Sequence, residues 1–474
     1  MFFQILSHAG LQIHGAGKTL IFDPWLIGST YWRSWWNYPP VSRALVDSLK
    51  PDFIYLTHIH WDHFQGSSLR KFPLDTPVLV PRGNGLRMKK DLLQIGFKDV
   101  REVAHGETVE LAPGFTLTSY QFYPFTDSAA VVKCEGITLL NSNDAKFMGA
   151  PLEQILRRHP AIDFVFRSHS SANPRLCFDF TDAPSVIPDN SDRYAGDFAA
   201  FAQRTGARYA IPFASNHCFL HKEVFHLNST VTTPVQVEEL FRKKGIDTPV
   251  LKIMVSGDSW DSGSGFSIAD TPYFRERERF LAEYQADKSA VLEKFYAMEA
   301  RTSVSLAQVE RYFKKFIRAL PWGIRFLFRK KPVTYVLSGS KTFVFQVDLW
   351  KGTVRELDGT LRLEDALHPL QIHTSANIMR QCMALDLFLH LGISKRVRFR
   401  STQADAKYHW LLELMFNLYE SEMLPLRKML TPRFLGTWIP RWREVLLYGQ
   451  IAGRKLLGKP FEMGRYLNTG LVKT

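Results

Sequence analysis

The chain has 474 residues, a hydrophobic fraction of 45% and a formal net charge of +14 at pH 7. This length exceeds what one hydrophobic core normally supports, so we expect two or more domains in a globular protein. No apolar run is long enough for a membrane-spanning helix. The first residues lack the basic segment and apolar core of a signal peptide, so we expect none.

The basic charge is unevenly distributed. Residues 261–474 contain 34 Lys and Arg but 21 Asp and Glu, so the second half carries nearly all of the net charge. This indicates an anionic partner bound by the second half, although a solvated basic surface explains it equally. The four cysteines are widely scattered, with neither metal-ligand spacing nor a disulfide framework. A reducing compartment, the cytoplasm, is therefore expected.

The first half alternates strand and helix patterns. Short apolar runs predict strands, and longer amphipathic segments predict helices. The predicted strands cover residues 1–8, 11–14, 19–22, 53–58, 78–80, 108–111, 116–122, 129–133, 137–140, 163–167 and 208–213. The predicted helices cover residues 41–49, 68–72, 85–93, 151–158 and 191–205, and residues 31–40, rich in Trp and Pro, predict a loop. This order is typical of a layered α/β domain, which we place at residues 1–262.

The second half has a different pattern. We predict a basic helical connector at residues 263–332 and a separate C-terminal α+β domain at residues 333–474. Its predicted strands cover residues 334–337, 343–349 and 352–357, and its predicted helices cover residues 375–391, 407–419 and 441–457.

Residues 313–331 mix cations with large apolar side chains. This pattern is typical of a helix that lies on an anionic membrane, but it also fits a buried amphipathic connector. Peripheral contact with the inner membrane surface through the basic C-terminal half is therefore one expectation. No nucleic-acid reader motif is recognisable, so a nucleic-acid partner is not expected.

Residues 57–63, Thr-His-Ile-His-Trp-Asp-His, follow an apolar run that predicts a buried strand. His58 and His60 are two residues apart, so in an extended backbone their side chains share a face. Asp62 and His63 can approach from another side over a short turn. Imidazole and carboxylate ligands suit zinc, iron or manganese. We therefore predict that these four residues form a metal site.

The pattern His-x-His-x-Asp-His after an apolar strand resembles the signature of the metallo-β-lactamase fold superfamily. The resemblance covers residues 1–260 and implies an αββα sandwich with a one- or two-metal site at one edge of the sheets. Most members are hydrolases that use a metal-bound hydroxide, and a minority are oxidoreductases or oxygenases. The motif is specific for the fold and weak for the substrate.

This resemblance implies further ligands. Asp144 follows a predicted strand and matches the aspartate that bridges two metals in the family, although it could also be a turn or helix cap. The histidine that most members place before that aspartate has no counterpart, because His105 resembles a structural turn. The last family histidine corresponds to His217 or His221, which are four residues apart and could face the same way on a helical turn.

Other side chains could line or orient the site. His169, after the predicted strand 163–167, is a further candidate ligand or a pocket-lining histidine. Asp23 either accepts a hydrogen bond from a ligand histidine or caps a turn. Trp25 and the aromatic loop that follows it suit packing against sugar or acyl groups, and Arg33 suits phosphate. The loop could equally be a rigid lid.

A closer resemblance is to the metallo-β-lactamase-like part of the CMP-N-acetylneuraminate hydroxylase group. The matching segments are residues 22–25, the histidine motif, residues 140–144, residues 212–215 with His221, and residues 256–259. Those hydroxylases carry a Rieske cluster with two Cys and two His ligands. The four cysteines here are not placed to hold one, so we expect this chain to lack the electron-transfer module.

The leading hypothesis is a metal-dependent hydrolase that uses metal-bound hydroxide on a small anionic substrate, a phosphate- or acyl-containing metabolite of the nucleotide-sugar or lipid class. Asp62 is the expected catalytic residue, since it would bind the second of two divalent metals and orient the nucleophile. Zinc is expected, with iron, manganese or a single ion as alternatives because the histidine set is incomplete. A non-haem iron hydroxylase and a non-catalytic binding protein remain open.

Overall fold

The computed structural model describes residues 1–123, 127–170, 172, 174–183, 191–270, 272–357, 369–456 and 463–467. Two sheets form the first half of the chain. From edge to edge, the strands of the first sheet are Gly265–Ser267, Ser259–Asp261, Phe2–Ile5, Leu11–Gly15, Lys18–Phe22, Phe53–Tyr55, Val78–Pro81 and Val100–Val103. Those of the second sheet are Val250–Leu251, Tyr209–Phe213, Phe164–Ser168, Ile137–Asn143, Asp127–Cys134, Phe115–Phe122 and Thr108–Ala112.

Alternating apolar side chains form the core between these two sheets. In the strand Phe164–Ser168, Phe164 and Phe166 lie in the core between the sheets, whereas Val165 lies in the core under the outer helices. Phe3 of the first sheet meets both phenylalanines edge-on, with ring centroids 5.0 and 5.4 Å apart. The period of two along the strands thus supplies both faces of the second sheet.

Helices cover both outer faces, which gives four layers. The first sheet is covered by Arg43–Ser48, Gly66–Leu69 and Arg87–Ile95. The second sheet is covered by Gly149–Arg158, Ser191–Thr205, Pro234–Lys244, Trp442–Leu456 and Met463–Leu467. The αββα sandwich predicted from the sequence is confirmed.

Parallel strands of both sheets end at the same edge of the sandwich. In the first sheet, Lys18–Phe22 runs parallel to Phe53–Tyr55. In the second sheet, Ile137–Asn143, Phe164–Ser168 and Tyr209–Phe213 run parallel to one another. Side chains that follow strands of the two sheets approach each other there. The crevice beyond the carboxyl ends of parallel strands is the usual place for a site in such sheets.

The second half forms a third sheet packed against helices. Its strands, from edge to edge, are Phe178–Phe180, Val397–Ser401, Gln371–Ser375, Val333–Ser338, Phe343–Asp348 and Thr353–Glu356. The remaining α-helices are Arg277–Asp287, Ser289–Arg301, Leu306–Ala319, Trp322–Leu327, Ala376–Leu385, Ala406–Glu420 and Pro432–Trp438. Short 3₁₀ turns cover Pro174–Cys177, Phe225–Thr230, Phe388–His390, Leu426–Leu430 and Ile439–Arg441.

The two halves are interleaved. Phe178–Phe180, from the first half, is the edge strand of the third sheet and pairs in parallel with Val397–Ser401. The last two helices return to the first half, where Leu447 and Tyr466 join the core outside the second sheet. The domain boundary at residue 262 stays a prediction. The strand Phe178–Phe180 and the last two helices each pack with the half on the other side of it.

The prediction of a loop at residues 31–40 is wrong in part. This segment contains the strand Trp35–Asn37, which pairs with Ser29–Thr30 and His217–Phe219 in a small three-stranded sheet. Positive φ angles at residues 31–33 turn the chain between the first two strands. Aromatic side chains favour a pleated, half-buried strand once a partner is available, and here the partner lies far along the chain.

The basic stretch at residues 313–331 is not a free amphipathic helix over its first half. The helix Leu306–Ala319 buries Phe313 and Phe316 in the core of the third sheet, while Lys314 and Lys315 stay exposed. The buried connector is therefore the alternative that the structure supports for this helix. Among the described residues, no helix combines the length and apolar character needed to cross a membrane.

Arg396 links the two halves through a buried guanidinium. It donates to Glu299 at 2.9 and 3.1 Å, to Glu223 at 2.9 Å and to the carbonyl oxygen of Trp32 at 2.9 Å. Glu299 also accepts a hydrogen bond from Ser375 at 2.8 Å. Charge-assisted bonds of this kind are strong when every partner is present, and costly when one is removed.

Replacing Arg396 with leucine leaves the Glu299 carboxylate buried without its cation. We expect Arg396→Leu to lower the free energy of unfolding by about 3–5 kcal/mol, measured as a lower midpoint of urea unfolding by circular dichroism. Arg279→Leu is the matched control, because Arg279 is 54% exposed and its ion pairs lie on the surface; its change should stay below about 1 kcal/mol. Equal midpoints for the two variants would contradict the role of Arg396.

Candidate metal centre

The histidine motif starts after the strand Phe53–Tyr55 and turns back on itself. The amide of His63 donates to the carbonyl oxygen of His60 at 3.0 Å, which closes a turn. The ring centroid of His58 then lies 4.1 Å from that of His63 and 4.6 Å from that of His60. His58, Asp62 and His63 are all buried. The four residues predicted from the motif are brought together, but among the described residues His60 is in neither of the groups that could hold a metal ion.

Asp23 holds the motif from behind. It follows the strand Lys18–Phe22 with a φ of 42°, a left-handed value that aspartate tolerates better than most residues. Its carboxylate accepts from the amide and hydroxyl of Thr57 at 2.8 and 2.7 Å, and from Nδ1 of His63 at 2.8 Å. With its proton on Nδ1, His63 presents Nε2 to the centre. Of the two roles considered for Asp23, the geometry matches the acceptor that orients a histidine.

Two overlapping groups of side chains could hold a metal ion. One consists of His8, Asp62 and His63, the other of His58, His63 and Asp144, and within each group the ligand atoms lie within 4.8 Å of one another. His63 is shared, since its Nε2 lies 3.6 Å from Oδ2 of Asp62 and 3.4 Å from Oδ2 of Asp144. Asp144, predicted on the resemblance alone, is therefore at the centre.

His8 and Tyr31 fix Asp62. The Tyr31 hydroxyl donates to Oδ1 at 2.5 Å, and Nε2 of His8 lies 3.1 Å from Oδ2. The amide of His8 donates to the side-chain oxygen of Asn37 at 2.9 Å, which ties the histidine to the small sheet. His8 was not predicted, because a single histidine after a strand carries no ligand spacing.

Three further predicted residues border the centre. His217 stacks on Trp35, with ring centroids 3.7 Å apart, and its ring lies 5.6 Å from that of His8. The Trp25 ring lies 5.5 Å from His8. His169 is buried, and neither of its ring nitrogens has a hydrogen-bond partner in the described part of the chain. These side chains wall the site but lie outside both groups.

His221 and Arg33 lie elsewhere. Nε2 of His221 lies 3.5 Å from the Glu299 carboxylate, and its ring packs against Tyr296. His221 does not follow His217 around a helical turn, because residues 217–219 form a strand and the chain then turns away. The guanidinium of Arg33 donates to Ser29 at 3.1 Å. The structure therefore does not bring the predicted ligand His221 or the predicted phosphate contact Arg33 to the motif.

His390, from the second half, closes one side of the centre. Its ring lies 5.8 Å from that of His60 and 4.9 Å from that of Trp61. The carboxylate of Glu420 anchors this turn by accepting from the amides of Phe388 and its neighbour at 2.7 and 2.9 Å. His390 was not predicted, since nothing in the sequence around it resembles a ligand motif.

The electrostatic environment of the centre favours the binding of a cation. Burial, followed by the neighbouring His63, lowers the pKa of His58 well below its usual value, so its imidazole is neutral. Burial disfavours a charge on His63, but Asp62 and Asp23 outweigh it and raise the pKa of His63 well above its usual value. Burial also opposes ionisation of Asp62, yet His63 and His8 outweigh it and lower the pKa of that carboxyl.

These residues fit a divalent metal. Nε2 of His58 and of His63 are buried without a hydrogen-bond partner among the residues described, which is costly unless a ligand occupies them. Neutral imidazole and carboxylate are ligands of zinc, iron and manganese. Because Nδ1 of His63 is engaged by Asp23, its single free nitrogen can serve only one ion at a time.

No protein-family model matches the chain. Among curated proteins, it is similar to one named as a Rieske 2Fe-2S iron-sulfur protein from Mycobacterium tuberculosis strain CDC 1551, with 25% identity over 311 residues, covering 60% of this chain and 58% of that protein. The cytidine monophosphate-N-acetylneuraminic acid hydroxylase of Mus musculus is 30% identical over 148 residues, 29% of this chain and 25% of that enzyme. The chain thus spans little more than half of the first relative and a quarter of the second.

Solved structures with a similar arrangement include an isothiocyanate hydrolase from Delia radicum gut bacteria, at 15% identity and a TM-score of 0.42, covering 55% of this chain and 99% of that one. A metallo-β-lactamase fold protein from Bacillus subtilis covers 55% of this chain and 98% of its own at 12% identity and a TM-score of 0.36. The four layers and the histidine motif define a metallo-β-lactamase fold with a candidate metal centre. The sequence relatives include CMP-N-acetylneuraminate hydroxylases, which confirms the closer resemblance. The four-layer sandwich confirms the resemblance in fold.

Metal content tests the two overlapping groups. We expect His63→Ala, which removes the shared ligand, to abolish tight binding of divalent metal, while His8→Ala and His58→Ala each lower the metal content in part. Inductively coupled plasma mass spectrometry of the purified variants measures the ratio of metal to protein. His221→Ala is the matched control and should keep the full ratio. If His63→Ala retains as much metal as His221→Ala, the assignment is wrong.

Asp23 should act on metal affinity through His63 without touching the ion. Asp23→Asn removes the charge that orients His63, and we expect zinc affinity to fall about 10- to 100-fold. Competition with a chromophoric chelator measures the dissociation constant. Asp52→Asn, which loses only a partly exposed pair with Lys18, should leave the affinity unchanged. An unchanged affinity in Asp23→Asn would show that the orientation of His63 does not depend on this carboxylate.

Proposed function

We propose that the protein is a metal-dependent hydrolase acting on a phosphate- or acyl-containing metabolite. The observation that supports this most directly is the pair of overlapping groups in which His63 faces the carboxylates of Asp62 and Asp144. Zinc is the ion we propose, with manganese as the nearest substitute. When bound, such an ion acts as a Lewis acid and lowers the pKa of a coordinated water to about 7.

Asp62 is the residue proposed to position the nucleophilic water. Tyr31 holds one carboxylate oxygen, and His8 faces the other at 3.1 Å. Burial, and then the charge of Asp62, raise the pKa of Tyr31 well above its usual value, so its hydroxyl keeps its proton and remains a donor. The hydrogen bond from Tyr31 restricts the rotation of this buried carboxylate, which keeps a reacting group in place.

An anionic substrate is supported by Lys146. This side chain lies two residues after Asp144, whose charge opposes the lowering of the Lys146 pKa by burial, and its ammonium is 5.8 Å from the centre of the Tyr194 ring. A cation next to a carboxylate-lined centre can offset the repulsion that a phosphate or carboxylate would otherwise meet. Trp25 and Trp35 are nearly fully buried beside His8, and they limit access of water from that side.

The sequence relatives favour a second candidate, an iron-dependent hydroxylase. The CMP-N-acetylneuraminic acid hydroxylases of Mus musculus and Pan troglodytes are 30% and 31% identical to this chain over 148 residues. Imidazole and carboxylate ligands also suit non-haem iron. A hydroxylase needs oxygen and electrons, whereas a hydrolase needs neither, so the two candidates differ in a measurable requirement.

Oxygen dependence separates the two functions. The protein, stripped of metal and reloaded with zinc, manganese or iron(II), is assayed with bis(p-nitrophenyl) phosphate and p-nitrophenyl acetate under air and under argon. We expect zinc or manganese to support hydrolysis equally in both atmospheres. Asp62→Asn should lower kcat about 100-fold or more, because the water is no longer positioned, while His221→Ala should not.

Oxygen consumption that requires iron, with no hydrolysis of either probe, would reject the hydrolase in favour of the hydroxylase. Equal turnover by Asp62→Asn and the wild type would reject Asp62 as the positioning group, since residual hydrolysis would then come from elsewhere.

A further inference from the structure

Residues 426–446 expose several large apolar side chains. The exposed fraction is 79% for Leu430, 68% for Ile439 and 55% for Trp442. A single exposed apolar residue is ordinary, but a group of them marks an interaction surface. We call this group the apolar face; its members are Leu426, Leu430, Leu435, Ile439, Trp442, Val445 and Leu446.

Helical spacing puts part of this face on one side. The helix Pro432–Trp438, a 3₁₀ turn and the helix Trp442–Leu456 follow each other without a break. Exposed apolar residues occur at 435, 439, 442 and 446, the three- and four-residue spacing of one helical side. Buried residues occur at 437, 441, 444 and 447 on the opposite side. The helical stretch therefore turns its apolar side to solvent, the reverse of an ordinary surface helix.

The exposed charges within residues 426–446 are positive. Glu444 is the single acidic residue in the sequence from 423 to 454, and it is 1% exposed and paired with Arg441. Arg427 and Lys428 are exposed between Leu426 and Leu430 of the face. The guanidinium of Arg443 lies 5.3 Å from the centre of the Trp442 ring. Apolar side chains flanked by cations complement an anionic membrane surface.

The apolar face is connected to the edge of the sandwich that carries the metal centre. Glu444 accepts a hydrogen bond from the amide of Tyr123 at 2.7 Å, and Arg441 donates to the carbonyl oxygen of Tyr123 at 2.8 Å. Tyr123 follows a strand of the second sheet and is 47% exposed. The strands Phe115–Phe122 and Ile137–Asn143 both pair antiparallel with Asp127–Cys134, so Tyr123 lies at the same end of the second sheet as Asp144.

The apolar face is poorly suited to self-association. A two-fold dimer would bury the same surface on both subunits, so its interface would contain Arg427 and Lys428 of both copies. Charges of one sign would then meet without an acidic partner. A lipid bilayer with anionic headgroups satisfies both components, since tryptophan and aliphatic side chains enter the interface and the cations meet the headgroups.

We propose that the apolar face docks the protein on an anionic membrane surface, with Ile439 and Trp442 in the interface. The docked protein would hold the edge of the metal centre close to the lipid headgroups. Membrane binding of this kind does not depend on the proposed hydrolase activity, and the metal-free protein should bind as the metal-loaded protein does.

Co-sedimentation of the full chain with vesicles tests the proposal. The probes are vesicles of phosphatidylcholine alone and of phosphatidylcholine with phosphatidylserine. We expect binding to the anionic vesicles that weakens with added salt, and little binding to the neutral ones. The triple variant Leu430→Ser/Ile439→Ser/Trp442→Ser should bind more than tenfold more weakly, and Arg427→Ser/Lys428→Ser roughly tenfold more weakly. All five positions are exposed, so these variants should fold normally.

A matched control uses a second exposed apolar pair. Trp322 and Leu327 are 66% and 49% exposed in the basic stretch after the buried connector helix. Trp322→Ser/Leu327→Ser should bind anionic vesicles like the wild type. No binding to either vesicle type overturns the proposal, as does loss of binding in this control with full binding in the triple variant. A dimer in sedimentation velocity that the triple variant abolishes would assign the face to self-association instead.

Discussion

The Asp23 carboxylate accepts three hydrogen bonds, two from Thr57 and one from His63, and none of the three residues is accessible to solvent. A buried carboxylate is tolerated only when donors of this kind surround it. The bonds join the end of the strand Lys18–Phe22 to the loop that follows Phe53–Tyr55, so the histidine loop cannot move away from the first sheet without exposing an unpaired charge. This constraint determines the direction of Nε2 of His63. Because both candidate metal groups share that nitrogen, it also determines where the two groups lie.

The same constraint limits what the centre can hold. His63 has one nitrogen for two groups, because the other nitrogen is bonded to Asp23. The family histidine that the sequence lacks between the motif and Asp144 would have relieved this competition. His8 instead pairs with Asp62 from the first strand of the sheet, and His390 approaches His60 from the second half. The candidate centre is therefore assembled from distant segments, and its two groups differ in their residues.

This assembly explains what could be predicted from the sequence. His58, His60, Asp62 and His63 lie within six residues, so a strand followed by a turn is enough to bring them together. Asp144 could be predicted only from the family resemblance, because an aspartate after a strand is as readily a turn or helix cap. His8 and His390 reach the centre only through the long-range packing of the sheets and of the two halves. Such packing leaves no recognisable ligand spacing in the sequence around either residue.

The strands can also be divided into those with a local sequence pattern and those that only long-range pairing reveals. The strand Val397–Ser401 shows a clear alternation, since Val397 and Phe399 are buried while the arginines between them are partly exposed, and this signal could have been used. The edge strand Phe178–Phe180 is too short to carry one. The pairing of Trp35–Asn37 with His217–Phe219 joins segments so far apart that only the folded chain reveals it.

Cations mixed with large apolar residues occur in two helical segments, and the same composition gives opposite results. In Leu306–Ala319 the apolar side faces the third sheet, so Phe313 and Phe316 are buried and the cations face water. In the helical stretch at residues 432–456 the buried side carries the Arg441–Glu444 pair. Glu444 accepts from Arg441 at 2.8 Å and from Tyr448 at 2.5 Å, as well as from the amide of Tyr123 at 2.7 Å. Because a desolvated ion pair needs all of its partners, these bonds determine which side of the stretch faces the protein. The apolar residues at 439 and 442 are left on the outer side by that pairing, and composition alone could not have distinguished the two cases.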